Sequence, residues 1–219
     1  DAATMGDPNA TAGRQLAEEI TCAGGRAQFV RTDVTSEDSV RAVVDCAVRT
    51  YGKLNAAINS AGVPQKGKPL HELETADWDF CNGINLRGMF LCMKYEIAAM
   101  WSNGGAIVAV SSAAAVKGLI NSAEYCASKA GVTGLIRGAA IDYAEAGIRI
   151  NALLPGGTDT PLAHRSSAAN PKVAQQVKIP VGRLATPAEI AASAVWMISD
   201  QASYMTGACV VIDGGMTIV

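Results

Sequence analysis

The stretch GAIVAVSSAAAVKGLINSAEYCASK, residues 105–129, decides the fold that we predict for this chain. It opens with an apolar run ending in Ser111-Ser112, which is typical of a buried strand with hydroxyls at its carboxyl end. Tyr125 follows in a segment of helical period, and Lys129 comes about one turn later, so both side chains project from one helix face. The stretch therefore predicts a strand and a helix that carry hydroxyl, phenol and amine groups.

The rest of the chain alternates short apolar runs with longer segments of helical period. The strand candidates are residues 27–34, 54–62, 105–112, 148–156 and 208–215. The helix candidates are residues 9–23, 35–51, 74–103, 122–146 and 187–199. This alternation predicts an α/β fold with a parallel sheet flanked by helices, and the length of 219 residues fits a single domain over residues 1–219.

Some boundaries of these elements carry their own signals. Thr186-Pro187-Ala188-Glu189 predicts a capping box with Pro at the first helical position, and Thr35 is a candidate N-cap. Residues 160–183 fit neither period, contain three prolines and follow a strand candidate. We interpret them as a lid or substrate loop, with a plain surface excursion as the alternative.

Composition and charge argue against several classes of protein. Hydrophobic residues make up 49%, the net charge is −2, and acidic and basic residues are interspersed, so we expect no nucleic-acid or membrane partner. The first twenty residues lack the pattern of a removable signal, and no apolar run is long enough to span a membrane, so we expect a soluble protein. The six scattered cysteines predict reduced, mostly buried thiols in the cytoplasm.

The spacing of Tyr125 and Lys129 points to proton transfer. A phenol with a pKa near ~10 is a poor base at neutral pH, but a nearby cation and a helix N-terminus favour its ionised form. Tyr125 could then exchange a proton with an alcohol or a ketone. A Tyr with a Lys four residues later also arises by chance as an exposed pair, and the strand ending in Ser111-Ser112 is what makes the combination specific.

Several further motifs resemble those of the classical short-chain dehydrogenase/reductase family, in the family's order. The matching segments are Asp33-Val34, Asn59-Ser60-Ala61-Gly62, Asn85 in INLRGMF, Ser112, Tyr125 with Lys129, Pro155-Gly156-Gly157-Thr158-Asp159-Thr160, and Asp213-Gly214-Gly215. The resemblance covers the chain from Asp7 to its last residue. It implies a Rossmann-like doubly wound sheet and an oxidoreductase that acts on a secondary alcohol or ketone with NAD(P).

The resemblance also implies a role for each matching residue. Tyr125 would be the acid/base, Lys129 would lower its pKa and hold the nicotinamide ribose, Ser112 would orient the substrate oxygen, and Asn85 would hold a water that relays protons. The cofactor-binding residues would be Asp7, Asp33, Val34, Asn59, Ala61, Gly62, Tyr125, Lys129, Pro155, Gly156, Thr158 and Thr160. Members of the family are commonly homotetramers, and the same is expected here.

One departure from the family concerns the first βα unit. No Gly-rich loop between a first strand and a first helix occurs in the sequence, so we expect that unit to be absent and cofactor binding to be weakened. Asp7 falls on the acidic residue that favours NAD, with NADP as a possibility. A truncated, non-catalytic scaffold of the same fold is therefore the alternative. A hydrolase is disfavoured, because only His71 and His164 are present and no G-x-S-x-G motif occurs.

Overall fold

The computed structural model describes residues 8–219 and is built around a parallel sheet. Its strands are β1 (Ala56–Asn59), β2 (Gly105–Val110), β3 (Ile148–Pro155) and β4 (Cys209–Ile212), and they lie side by side in that order. The helices are α1 (Pro8–Cys22), α2 (Glu37–Tyr51), α3 (Thr75–Asn82), α4 (Met89–Met100), α5 (Ala123–Tyr143), α6 (Pro161–Ala169), α7 (Pro171–Gln176) and α8 (Pro187–Ile198). Four of the five predicted strands and all five predicted helices are confirmed.

Helices cover both faces of this sheet. Ile107 and Ala109 of β2 belong to one apolar cluster with residues of α4 and α5. Val108 lies between them in sequence and packs in a second cluster with Ala194 and Met197 of α8. Successive residues of a strand point to opposite faces, so the two clusters lie on opposite sides of the sheet. The predicted parallel sheet with flanking helices is confirmed, and it explains why the strands are mainly apolar.

The strand predicted at residues 27–34 is wrong. The segment forms no strand, and its residues Phe29 and Val30 instead face Ile58 of β1 across a groove of about 440 Å³. A β-strand exists only through hydrogen bonds to a neighbouring strand. The apolar pattern of the segment reports that it is partly buried, but no strand among residues 8–219 is hydrogen-bonded to it.

The segment of residues 160–183, predicted as a loop, contains two helices. Pro161 and Pro171 each occupy the first helical position, where a missing N–H costs nothing. The hydroxyl of Thr160 caps α6 by accepting a hydrogen bond from the backbone N–H of Ala163 at 3.2 Å. Two of the prolines that we read as breaking the pattern therefore start helices.

Of the two helix N-caps predicted from the sequence, the one at α8 is confirmed and the one at α2 is wrong. The capping box of Thr186 and Glu189 at the start of α8 is confirmed. The N-cap of α2 is Ser36, whose hydroxyl accepts from the backbone N–H of Ser39, and not Thr35. Thr35 donates its hydroxyl to Asp33 instead, at 2.7 Å. Two adjacent hydroxyl residues compete for the cap, and the turn made by Asp33 decides between them.

The six cysteines are all free thiols. Only Cys81 is buried, whereas Cys22 is exposed and the other four are half-buried, so the expectation of mostly buried thiols is wrong. Helices α1 and α2, which carry two of them, have faces open to solvent. In the part of the chain that the structure describes, no helix is both long and apolar enough to cross a membrane.

Gly156 provides a test of how tightly the end of the sheet is packed. A Cβ at this position would lie 2.7 Å from Cα and 3.1 Å from the backbone oxygen of Asp213, just after β4. Because backbone atoms cannot rotate away, we expect Gly156→Ala to lower the free energy of unfolding by about 1–3 kcal/mol. The measurement is equilibrium denaturation in urea.

Gly83→Ala is the matched control. A Cβ at Gly83 would meet nothing within 4 Å, and its backbone is helical, with φ −58° and ψ −43°. This variant should be stabilised by about 0.5–1 kcal/mol. Equal denaturation midpoints for the two variants would contradict the packing argument.

Candidate active site

The carboxyl end of β2 and the start of α5 bring three predicted side chains together. Ser112 follows β2, and Tyr125 is the third residue of α5. The side chain of Ser112 lies beside that of Tyr125, close enough to lower the pKa of the phenol by hydrogen bonding. The amine of Lys129 lies 5.8 Å from the centre of the Tyr125 ring. A hydroxyl, a phenol and an amine thus meet at the edge where parallel sheets bind their ligands.

Lys129 is held in a buried position between α5 and β2. Its residue surface is 5% exposed, and its Nζ donates a hydrogen bond to the backbone oxygen of Val110 at 3.1 Å. Ser111 ties the same helix to the strand, because its hydroxyl donates to the backbone oxygen of Lys129 at 2.8 Å. Burial lowers the pKa of Lys129 to about 8, since the interior disfavours the charged amine.

Tyr125 is a protonated phenol in this arrangement. Burial raises its pKa above the usual 10, and the hydrogen bond with Ser112 opposes that effect only in part. The expectation that Lys129 lowers this pKa is therefore not met in the chain by itself. The amine lies over the ring and donates to Val110 instead of to the phenol oxygen. Tyr125 is consequently equipped to donate a proton to an acceptor such as a ketone oxygen.

Asn85 lies in a π-helical segment, Gly83–Gly88, between α3 and α4. Its carboxamide pairs with the backbone of Val63, accepting from N–H at 2.8 Å and donating to the carbonyl at 3.1 Å. The same Nδ2 contacts the hydroxyl of Ser128 and the thiol of Cys81 at 3.2 and 3.4 Å. Asn85 thus fixes the loop after β1 to α5, and a water bound by its side chain would have to share these contacts.

The turn after β1 packs directly against these groups. A Cβ at Gly62 would lie 3.2 Å from Oδ1 of Asn85 and 3.6 Å from Nζ of Lys129. Any side chain there would intrude between the amide and the amine. Ala61 is exposed beside this turn, and Asn59 is the last residue of β1, where its Nδ2 donates to Glu96.

Val34 lines the groove beside β1, and Asp33 directly precedes it in the chain. The carboxylate of Asp33 accepts from the backbone N–H and the hydroxyl of Thr35 at 2.8 and 2.7 Å, and these bonds lower its pKa. Val34 packs against Gly88, where a Cβ would lie only 2.9 Å from the valine methyl group. Asp7, the other acidic residue predicted to bind cofactor, lies outside the described residues.

The segment after β3 begins at the same carboxyl edge of the sheet. Gly156 continues the sheet by donating its N–H to Ile212 at 3.0 Å. Thr158 forms an isolated parallel bridge with Ala185. Thr160 is the cap of α6, so its hydroxyl is already bonded to the helix. Pro155 is the last residue of β3 and is half-buried.

Three buried polar side chains near the site were missed from the sequence. Glu124 has no exposed surface, and its Oε1 accepts from the backbone N–H of Lys66 at 2.7 Å, while Oε2 has no partner among the described residues. Gln65 donates to the hydroxyl of Ser166 on α6 at 2.7 Å and so ties that helix to the loop after β1. Glu96 is the third. Glu124 could have been noticed in the sequence, because it directly precedes Tyr125. Nothing in the sequence near Gln65 or Glu96 indicates that these side chains are buried.

The groove beside β1 does not coincide with the predicted proton-transfer groups. Its lining includes Asn59 and Ala61 but not Ser112, Tyr125 or Lys129. We infer that the reaction takes place at Ser112, Tyr125 and Lys129, because proton transfer depends on polar and titratable groups that lie close together and not on the volume of a groove. Among residues 8–219, no cluster of three His, Cys, Asp or Glu side chains could hold a metal ion.

Comparisons with known proteins identify the family. A family model described as enoyl-(acyl carrier protein) reductase matches residues 4–217. The structure superposes with a TM-score of 0.88 on a short-chain type dehydrogenase/reductase from Mycobacterium marinum, at 29% identity over 96% of this chain and 83% of that one. The chain belongs to the classical short-chain dehydrogenase/reductase family. The predicted resemblance is confirmed.

Relatives of this short-chain dehydrogenase/reductase carry the names of dehydrogenases of cyclic alcohols. A cis-4-hydroxycyclohexanecarboxylate dehydrogenase from Sinomonas cyclohexanicum is 44% identical over 93% of this chain and 82% of its own length. A cyclohexanol dehydrogenase from an Acinetobacter species is 38% identical over 97% of this chain and 84% of its own length. These names support an oxidoreductase.

Proposed function

We propose that this chain is an NAD(P)-dependent oxidoreductase that interconverts a secondary alcohol and a ketone, with Tyr125 as the acid/base. The observation that carries the proposal is the meeting of Ser112, Tyr125 and Lys129 at the carboxyl edge of the sheet. The names of the relatives favour a hydroxyl on a six-membered carbocycle as the substrate. The chain acts as one NAD(P)-binding unit over residues 1–219.

The side chains around Lys129 fit the nicotinamide end of a dinucleotide. Gly62 leaves room beside the amine that a Cβ would fill, and the amine is a donor suited to ribose hydroxyls. When bound, the cofactor supplies or accepts the hydride. The remaining contacts would come from Asp33, Val34, Asn59, Ala61, Pro155, Gly156, Thr158 and Thr160 around the same edge, together with Asp7.

The chain's own part in the reaction is proton transfer. In the reduction direction, the carbonyl carbon gains the hydride and the carbonyl oxygen gains the proton of the Tyr125 hydroxyl. The hydroxyl of Ser112 orients that oxygen. The ammonium of Lys129 stabilises the phenolate that Tyr125 leaves behind, and oxidation runs the same transfers in reverse. Asn85 keeps the loop after β1 in place, and its role in holding a water that relays protons belongs to the same proposal.

Three further assignments belong to the same proposal. NAD is favoured over NADP, because Asp7 would accept hydrogen bonds from a ribose and repel a 2′-phosphate. A homotetramer is favoured by large apolar side chains that are exposed on and after α4 and α5, among them Trp101 at 60% and Ile141 at 79%. A cytoplasmic location is favoured by the six free thiols.

The test is an assay of the purified chain with NAD or NADP and cyclic alcohols. We expect reduced nicotinamide to form with cyclohexanol or cis-4-hydroxycyclohexanecarboxylate, and faster with NAD than with NADP. A linear primary alcohol is the control substrate. Fluorescence titration with NADH separates the enzyme from a scaffold of the same fold. Failure to bind either dinucleotide would refute the enzyme and favour the scaffold.

A further inference from the structure

An internal carboxylate on α4 holds the side chain at the end of β1. Nδ2 of Asn59 donates to Oε2 of Glu96 at 2.8 Å. Glu96 is only 7% exposed, although it is a charged residue type, and it lies 37 positions from Asn59 in the sequence. Buried acids of this kind are rare without a specific partner. The hydrogen bond between Asn59 and Glu96 is therefore a specific contact that joins α4 to the end of β1.

The surroundings of Glu96 offer it little other polar contact. The groove that it lines is bounded mainly by apolar side chains from residues 29–34, α2 and β1. The other titratable or charged side chains in the lining are Arg31 and Cys92. Burial raises the pKa of the Cys92 thiol to about 12, so it stays neutral. Burial also raises the pKa of Glu96 to about 7, and the hydrogen bond from Asn59 opposes this only in part.

We propose that Glu96 is a positioning residue that sets which end of the Asn59 carboxamide is presented to a bound dinucleotide. An ionised carboxylate can only accept hydrogen bonds, so it must face Nδ2 and leave Oδ1 as the presented end. Among residues 8–219, no donor is bonded to Oδ1. Asn59 then offers an acceptor to a hydroxyl group, such as those of a ribose. The role of Asn59 as a cofactor contact rests on the proposed function.

Protonation of Glu96 removes this constraint. A neutral carboxylic acid has a donor as well as an acceptor and can pair with either end of the amide. The Asn59 group can then turn, presenting Nδ2 in place of Oδ1. Above the pKa of Glu96 the Asn59 amide therefore has one orientation, whereas below that pKa both orientations are populated. Cofactor affinity should follow the same pH dependence.

The first test uses the free protein and needs no cofactor. The side-chain amide resonances of Asn59 are followed by NMR as the pH passes through neutrality. We expect them to shift with a midpoint near the Glu96 pKa in the wild type, and to stay constant in Glu96→Gln, which is nearly isosteric. Constant resonances in the wild type, or the same shift in the variant, would overturn the proposal.

The second test measures KM for NAD with the matched control Glu37→Gln. Glu37 of α2 also binds α4, accepting from Lys94 at 2.6 Å and Tyr95 at 2.8 Å, but it does not touch Asn59. We expect Glu96→Gln to raise KM about threefold to tenfold, the value of one hydrogen bond, with kcat little changed. Glu37→Gln should leave both constants near their wild-type values.

The outcomes of the two tests distinguish this proposal from the proposed function. An unchanged KM in Glu96→Gln beside shifting resonances would refute the link to the cofactor. Shifting resonances without any dinucleotide binding would refute the proposed function while leaving the Glu96 control of Asn59 standing.

Discussion

Replacing Tyr125 by Phe is expected to lower turnover of a cyclic alcohol by about 10²–10⁴-fold, the usual contribution of a positioned acid/base. Phe keeps the ring that packs near Lys129 and removes only the hydroxyl that lies beside Ser112. The ring is the larger part of the buried surface, so the fold should persist and NADH should still bind. The measurement is the rate of nicotinamide reduction beside the fluorescence titration.

Tyr143→Phe is the control for this experiment. Tyr143 is the last residue of the same helix, and its ring meets Trp101 edge-on at 5.9 Å, a contact that Phe preserves. This variant should turn over at the wild-type rate. A Tyr125→Phe enzyme within about threefold of wild type would rule out Tyr125 as the acid/base, because such a difference is below the range expected for proton transfer.

Replacing Lys129 by Met is expected to lower kcat/KM by about 10²–10³-fold, as loss of one charge-stabilising donor commonly does. In the complex with dinucleotide we expect the ammonium to stabilise the phenolate of Tyr125, although it does not lower the pKa of this phenol in the chain by itself. The rise of alcohol oxidation with pH should therefore move to higher pH in the variant. The measurement is the pH profile of kcat/KM for the wild type and Lys129→Met.

The same variant should be more stable than the wild type at pH 7. Burial lowers the pKa of Lys129 from 10.5 to about 8, so the folded chain binds this proton more weakly than the unfolded chain does. Wild-type stability should consequently rise as the pH increases from about 8 to 10.5. Below that window the charge costs about 3 kcal/mol, and losing the bond to Val110 costs about 1, so Lys129→Met should gain about 2 kcal/mol.

Denaturation at pH 7 and pH 10 checks this, with Lys53→Met as the control. Lys53 is exposed, so its removal should leave both the stability and its pH dependence nearly unchanged. A Lys129→Met protein that is less stable at pH 7, with the wild-type dependence on pH, would show that burial of the amine carries no penalty. If Lys129→Met gains stability but loses activity, Lys129 lowers the stability of the fold and is needed for the reaction.

The elements that could be predicted were those with a local signal. The periods of β2 and α5 and the capping box of Thr186 follow from residues within a few positions of one another. The errors came where a distant partner decides. Residues 27–34 have an apolar pattern without a paired strand, and Pro161 and Pro171 start helices whose position depends on contacts such as that of Gln65 with Ser166.

The site divides in the same way. By itself, the sequence determined the family and the order of Asn85, Ser112, Tyr125 and Lys129, because motif spacing is a property of the chain. Only the tertiary structure decided that burial raises the pKa of Tyr125, that the Asn85 amide binds Val63, and that Glu96 holds Asn59. The reason is that burial and long-range hydrogen bonds depend on which distant segments surround a group, and no local pattern records them.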